Sequence, residues 1–175
     1  MTEDAELMRR SAHGDDKAFE EIVSRHSGKL LNFFFRSGVS PSDSEDLAQR
    51  TFLKLWRYRE RYSPTAKFTT FLFLLAHQEA RDYYRAAGRR AVAEKGLEEE
   101  LNAPPGGSGF GVDAAERALM ALRSLPAAQR EVVELGVMQD MPYAEVAAVL
   151  NIPTGTVKSR MFAALGKLKE VLNGK

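Results

Sequence analysis

Cysteine is absent from this chain of 175 residues, which excludes disulfides, thiolate metal sites and a thiol redox switch. No apolar run approaches the roughly 18 residues that a membrane-spanning helix needs. The N-terminus, MTEDAELMRR, is acidic and lacks the apolar segment of a secretory signal. We therefore expect a cytoplasmic protein without membrane insertion.

Signatures of catalysis are also missing. There is no Gly-rich phosphate loop and no nucleophile with a plausible base in the sequence. His77-Gln78-Glu79 lacks the second histidine of a metalloprotease motif. The expectation is a protein that is not an enzyme, with no catalytic residues, no metal site and no cofactor.

Net charge is small, +1, but its distribution along the chain is uneven. Residues 1–90 carry +3, residues 91–120 carry −4 and residues 121–175 carry +2. Two mildly basic blocks around an acidic middle suggest two modules that bind one polyanion, with a linker that stays off it.

The C-terminal block contains the pattern of two helices joined by a tight turn. Apolar residues recur at helical spacing in a first helix: Tyr143, Val146, Ala147 and Leu150. Asn151 suits a left-handed helix end, and Pro153 suits the start of a second helix. The period then resumes at Val157, Met161, Ala164, Leu165 and Leu168. This arrangement predicts a helix-turn-helix, whose second helix enters the DNA major groove.

The start of that second helix is polar and basic. The residues concerned are Thr154, Thr156, Lys158, Ser159 and Arg160. Cations at a helix N-terminus oppose the helix dipole, which favours a role in binding phosphates and base edges. The alternative is a short helical hairpin with a solvated basic face.

The first block contains three predicted helices. The first spans 15–36, the second follows a capping-box pattern at Ser42 and Glu45, and the third spans about Phe68 to Ala87. Between the last two lies WRYRERYSPTAKF, in which aromatic and basic residues alternate. This composition is typical of single-stranded nucleic-acid platforms. The alternative is that Trp56 and Phe68 belong to the core and the arginines form a solvated face. The sequence favours the core for Trp56 and leaves both interpretations open for the loop.

The segment between the blocks is rich in glycine and proline. A short helix is possible at Val92–Leu101, and Ala103–Gly111 is predicted to be a flexible linker. Asp113 with Glu116 resembles a second capping box. We expect an all-α fold with two small helical domains, residues 1–90 and 113–175, joined by a linker at 91–112.

With these residues in view, the chain resembles the small two-domain extracytoplasmic-function (ECF) sigma factors of the bacterial sigma-70 family. EDLAQRTFLKLWRYRERY and FTTFLFLLAHQEARDYYR resemble region 2, the promoter-melting domain. LPAAQREVVELGVMQDMPYAEVAAVLNIPTGTVKSRMFAALGKLKE resembles region 4. The resemblance implies a subunit that binds core RNA polymerase, directs it to specific promoters and helps to open the −10 region.

The resemblance also assigns roles to residues. Contacts with the clamp helices of the polymerase β′ subunit would fall on Asp46, Leu47, Gln49, Phe52, Leu55 and Trp56. Contacts with the −10 element would fall on Arg61, Tyr62, Lys67, Phe68, Gln78, Arg81 and Arg85. Contacts with the −35 element would fall on Thr154, Thr156, Lys158, Ser159, Arg160 and Phe162. It further implies promoter DNA, the β flap and an anti-sigma factor as partners, and association with the nucleoid.

The sequence departs from the family pattern at several positions. Arg50 stands where an acidic residue is usual, and Phe71 and Gln78 stand where tryptophan and asparagine are common. Ala163 replaces a basic residue, and Pro142 replaces a Ser or Thr cap. These positions bear on the clamp contact and on promoter preference. The rival hypothesis is a stand-alone helix-turn-helix regulator that dimerises on a palindrome and needs no polymerase.

Overall fold

The computed structural model describes residues 3–94 and 114–173, and these residues contain eight α-helices and no strand. The helices are α1 Glu3–Ala12, α2 Asp16–Ser37, α3 Pro41–Tyr58, α4 Phe68–Glu94, α5 Ala114–Ser124, α6 Ala127–Val133, α7 Tyr143–Leu150 and α8 Thr154–Leu172. The all-α prediction is confirmed. Most of the predicted linker, including Asp113 and Ala103–Gly111, lies outside the described residues.

Helices α1 to α4 form the first bundle. The predicted helix at 15–36 is present as α2, which begins at Asp15, where Oδ1 accepts a hydrogen bond from the Ala18 amide at 3.2 Å. It ends at Gly38, whose φ of 101° is a conformation that glycine adopts without strain. The sequence analysis did not predict α1, which buries Leu7 and Met8 against this bundle.

Helix α3 begins earlier than its predicted cap. Ser40 is the capping residue and accepts a hydrogen bond from the Asp43 amide at 3.2 Å, with Pro41 in the first turn. The Ser42–Glu45 capping box is therefore wrong, because Pro41 already supplies the helical φ one residue before Ser42. Helix α4 begins at Phe68 as predicted but continues to Glu94, beyond the predicted end at Ala87.

Helices α5 to α8 form the second bundle. Helix α6 continues into a π-helical turn, Glu134–Met138, and Gly136 in that turn leaves room for the Met161 side chain. A Cβ at position 136 would lie 2.7 Å from Met161 Cε, so a larger residue there would require the flexible end of the Met161 side chain to move. Asn151 ends α7 with φ 54°, which confirms the predicted left-handed turn.

The two bundles pack against each other. Helix α7 lies on α4, and α5 and α6 lie against α2. One apolar core cluster includes residues of both bundles, for example Leu72 and Val149. No helix of the described part of the chain is long and apolar enough to cross a lipid bilayer.

Candidate nucleic-acid interface

The segment between α3 and α4 carries an aromatic cluster. A 3₁₀ turn, Arg59–Arg61, leads to Tyr62, whose ring lies 6.2 Å from the ring of Phe68 and 5.5 Å from that of Phe71. The Tyr62 hydroxyl is buried without a hydrogen-bond partner, and burial raises its pKa. Arg61 and Lys67 are exposed on either side of the cluster. The predicted combination of rings and cations is therefore present, with Phe71 as an additional ring.

Phe68 is not at the surface. Only 2% of the residue is exposed, and its ring lies 5.1 Å from that of His26 on α2. As the first residue of α4 it points into the bundle, so its ring is not accessible to a DNA base in this conformation, and its role in −10 binding stays a prediction. The Phe68 ring instead packs against the ring of Tyr62.

The polar face of α4 contributes the remaining predicted −10 residues. Arg81 and Arg85 are exposed, and Gln78 is partly buried. Tyr84 on the same face donates a hydrogen bond to the Ser37 carbonyl at 2.6 Å. A groove between α4 and the second bundle brings Arg81 and Arg85 to the same lining as Arg160 of α8.

The start of α8 presents its predicted residues to solvent. Thr154, Lys158 and Ser159 are exposed, whereas Thr156 and Arg160 are partly buried. Phe162 is 85% exposed, which is unusual for phenylalanine and leaves its ring available for a ligand. The opposite face, Val157, Met161 and Ala164, is buried as predicted.

Leu165 was predicted to be on that buried face and is instead exposed. It follows Ala164 directly, and Ala164 is fully buried while Leu165 is 49% exposed, so the buried face of α8 ends between these two neighbours.

The predicted polymerase-binding residues of α3 divide into two groups. Asp46 and Gln49 are exposed. Leu47, Phe52 and Leu55 are buried in the first bundle, so in this conformation they do not present a surface to a partner, and their role in polymerase binding stays a prediction. The physical reason is that α3 packs against both α2 and α4, which requires a wide apolar arc.

Trp56 is partly buried, and its ring contacts other side chains of the protein. Its ring makes an edge contact with Phe19 at 4.8 Å, and the Arg59 guanidinium lies 3.7 Å from its centroid. Arg50, which the sequence analysis related to the clamp contact, forms an ion pair with Asp46 at 2.7 Å. One further exposed residue of α3, Leu53, was not among the predicted contacts and is 55% exposed. Its four-residue spacing from Gln49 could have revealed it.

Ion pairs join the two bundles, and Arg123 of the second bundle also donates a hydrogen bond to the Phe35 carbonyl of the first. The first bundle supplies the bases and the second supplies the carboxylates: Arg36 with Glu134 at 3.2 Å, His77 with Glu131 at 3.5 Å, and Lys67 with Glu145 at 3.2 Å. Of these three bases, Lys67 is the one that the sequence analysis assigned to −10 DNA, and it faces the Glu145 carboxylate of the second bundle.

Among the residues that the structure describes, no group of three or more His, Asp or Glu side chains could hold a metal ion. The clusters found here are instead basic and aromatic. Such surfaces suit a polyanion whose bases can stack.

Comparison with protein families gives two matches, one in each bundle. The model of sigma-70 region 2 matches residues 22–90, and the model of sigma-70 region 4 matches residues 115–168. The first covers α3, the aromatic cluster and most of α4, and the second covers the helix-turn-helix.

Curated relatives match over nearly the whole chain. The chain is 31% identical to the ECF RNA polymerase sigma-E factor of Haemophilus influenzae, with 92% of this chain and 90% of the relative covered. It is 30% identical to the ECF RNA polymerase sigma-E factor of Escherichia coli K12, with the same coverage. It is 26% identical to the RNA polymerase sigma-H factor of Pseudomonas aeruginosa, covering 97% and 94%.

Solved structures give the same result. CnrH in complex with the cytosolic domain of CnrY matches with a TM-score of 0.73 at 27% identity, over 98% of both chains. The sigma factor RpoE in complex with the anti-sigma factor NepR, from Bartonella quintana, matches with a TM-score of 0.75 at 26% identity. This second match covers 90% of the present chain and 98% of the other.

Proposed function

The chain belongs to the ECF group of the sigma-70 family, and we propose that each of its two bundles performs the promoter step of the sigma region that it matches. As a sigma factor it binds core RNA polymerase and directs it to promoters to initiate transcription. The observation that carries the assignment is the match of both regions, in order, within one chain. We further propose that the chain has no catalytic activity of its own.

In the proposed mechanism, α8 reads the −35 element in the major groove. Lys158 and Arg160 contact phosphates or guanine edges, while Thr154, Thr156 and Ser159 contact phosphates and Phe162 packs on an apolar base edge such as a thymine methyl. The exposure of Lys158 and Phe162 supports this role, because neither side chain is needed to hold the fold.

The aromatic cluster and the polar face of α4 bind the opened −10 strand in this proposal. Tyr62 and Phe71 provide rings for base stacking, which contributes about 1–3 kcal/mol per base. Arg61, Lys67, Arg81 and Arg85 follow the phosphates, and Gln78 faces a base. Unpairing and flipping a base costs a few kcal/mol, which these contacts offset.

Core polymerase would bind the exposed face of α3. This face combines the ion pair of Asp46 with Arg50, the amide of Gln49 and the apolar side chain of Leu53. Leu47, Phe52, Leu55 and Trp56 would shape this face from within. We propose the β′ clamp helices as its target, the β flap as a target of the second bundle, and a cytoplasmic, nucleoid-associated location.

Tethering both bundles to polymerase makes the second promoter contact intramolecular, so two individually weak contacts yield specific binding. One of the similar solved structures is the sigma factor RpoE in complex with the anti-sigma factor NepR, and another is CnrH in complex with the cytosolic domain of CnrY. We propose that an anti-sigma factor likewise regulates this chain.

Run-off transcription with core polymerase, with and without the protein, on a promoter-rich genomic library tests this function. Protein-dependent starts that share two spaced motifs are expected. Absence of such starts with folded protein, combined with tight binding of a dimer to a palindrome without polymerase, would instead establish the stand-alone regulator.

A further inference from the structure

Glu145 of α7 contacts two side chains at the start of α4, those of Thr70 and Lys67. Its Oε2 accepts a hydrogen bond from the Thr70 hydroxyl at 2.7 Å, and its Oε1 lies 3.2 Å from the Lys67 ammonium. The three residues belong to different bundles, and Thr70 and Glu145 are 75 positions apart. The Glu145 carboxylate thus contacts two donors, the Thr70 hydroxyl and the Lys67 ammonium, next to the aromatic cluster.

The pair of donors has the chemistry of an oxyanion site. Thr70 is only 7% exposed, so its hydroxyl is fixed by its surroundings, whereas Lys67 is exposed and adds a full charge. Both lie at the N-terminal end of a 27-residue helix, where backbone N–H groups and the helix dipole favour an anion. Two donors that engage separate oxygens of one carboxylate can equally engage the two free oxygens of a phosphodiester.

The position of this site links it to the aromatic cluster. A cavity of about 220 Å³ lies between the bundles, and Tyr62, Thr70 and Phe71 line one side while Ala148 and Val149 of α7 line the other. A strand whose phosphate replaced the Glu145 carboxylate would have its bases beside the rings of Tyr62 and Phe71.

We propose that Lys67 and Thr70 form a binding site for a backbone phosphate of the single-stranded −10 DNA, and that Glu145 occupies this site as an intramolecular competitor while the bundles are packed together. The proposal rests on the proposed function and adds to it a role for Thr70 and an autoinhibitory role for Glu145. Glu145 is part of the same chain, so it competes for the site at a fixed effective concentration. Free DNA must bind strongly enough to displace it.

Counterion release gives the proposal a distinctive signature. In the native chain Lys67 exchanges one anion, Glu145, for another when DNA binds, so it releases no net counterion. Without the Glu145 charge, the same contact releases counterions and steepens the dependence of log affinity on log salt by about 0.7, the value for one phosphate of a single strand.

The experiment is fluorescence anisotropy of the full chain with a labelled random-sequence DNA strand of about 12 nucleotides, over a series of salt concentrations. Glu145→Gln preserves shape and removes the charge. We expect it to tighten binding about threefold to tenfold and to steepen the salt slope. Glu116→Gln, at an exposed position of α5, removes the same charge elsewhere and should change neither quantity appreciably.

The donors are then tested in both backgrounds. In Glu145→Gln, Lys67→Ala should abolish the added slope, and Thr70→Val should weaken binding about threefold without changing the slope, because a hydroxyl carries no charge. In the native background both changes should have smaller effects. Thr70→Ser retains the hydroxyl and should therefore avoid the loss of affinity expected for Thr70→Val. Far-UV circular dichroism identifies any variant that fails to fold.

Equal affinities for Glu145→Gln and Glu116→Gln, or effects of Lys67→Ala and Thr70→Val that are the same in both backgrounds, would overturn the proposal. Run-off transcription with the same preparations separates it from the proposed function. If the native protein supports transcription but Glu145→Gln does not change DNA affinity, the sigma role stands and only the role of Glu145 as a competitor is refuted. Inactive native protein whose affinity still rises in Glu145→Gln refutes the sigma role and leaves a general single-strand site.

Discussion

Replacing Arg36 by alanine should destabilise the packed chain in a manner that depends on pH. Arg36 Nη1 lies 3.2 Å from Oε1 of Glu134, and Glu134 is only 1% exposed. The other partner of that oxygen is the Gln139 amide at 3.2 Å, and Oε2 of Glu134 is buried without a hydrogen-bond partner. Loss of Arg36 therefore leaves a buried carboxylate without a cation.

The magnitude follows from the burial of the two partners. Removing one member of a buried ion pair costs about 3–5 kcal/mol. The Arg36 side chain remains 29% exposed, so water already screens part of the interaction, and we expect about 2–3 kcal/mol near neutral pH. Separation of the two bundles would hydrate Glu134, so the free energy of packing sets the upper limit of the loss.

The pH dependence has a definite sign. Burial raises the pKa of the Glu134 carboxyl above its ordinary 4.5, and Arg36 acts in the opposite direction. Without Arg36 this pKa rises further in the folded chain, while that of the unfolded chain stays near the ordinary value. The penalty of Arg36→Ala is therefore complete at a pH above the raised pKa and decreases as the pH falls toward 4.5.

Urea unfolding followed by far-UV circular dichroism measures this penalty in Arg36→Ala, Glu134→Gln and the double variant. Arg57→Ala, at an exposed position of α3, is the control for loss of an arginine. The penalty should be large at pH 8, smaller at pH 5 and nearly absent in the Glu134→Gln background. The same loss at both pH values, or an undiminished loss when the Glu134 charge has been removed, would refute the reasoning.

Three further predictions address the site. Lys158→Ala and Arg160→Ala should each weaken promoter use by about 1–3 kcal/mol if they contact bases, which run-off transcription measures; unchanged transcription in both would remove the assignment of α8. Phe68→Ala should lower the free energy of unfolding by about 3–5 kcal/mol, because the buried ring leaves a cavity; a thermal melt like that of the native chain would contradict its burial. Burial lowers the pKa of His26, so stability should fall as the pH decreases below 6.5, and urea titrations should show this loss removed in His26→Gln.

Local chemistry made part of the fold predictable. Asn151 and Pro153 gave the turn between α7 and α8, and the apolar period gave the buried residues Val157 and Met161. These features depend on neighbours in sequence, so composition and spacing are sufficient to find them. The cap of α3 was misplaced because Ser40 and Ser42 both fit a capping pattern, and only the position of Pro41 distinguishes them.

The division of the candidate site into surface and core was less predictable. Leu47, Phe52 and Leu55 are buried because α3 contacts two helices, and a helical period does not indicate how many neighbours a helix has. Phe68 occupies the boundary between the aromatic cluster and the core, where either position fits its residue type. The contact of Thr70 with Glu145 joins residues 75 positions apart, which a single sequence does not reveal.

The left-handed turn at Asn151 also links the two surfaces that we propose for promoter binding. It joins α7 to α8 tightly, and both helices share the buried core of the second bundle. When α7 lies on α4, the direction of α8 is fixed as well, with Arg160 turned toward the groove that Arg81 and Arg85 line. If α4 and α8 make the proposed −10 and −35 contacts, an event that displaces α7 from α4 would change the availability of both together.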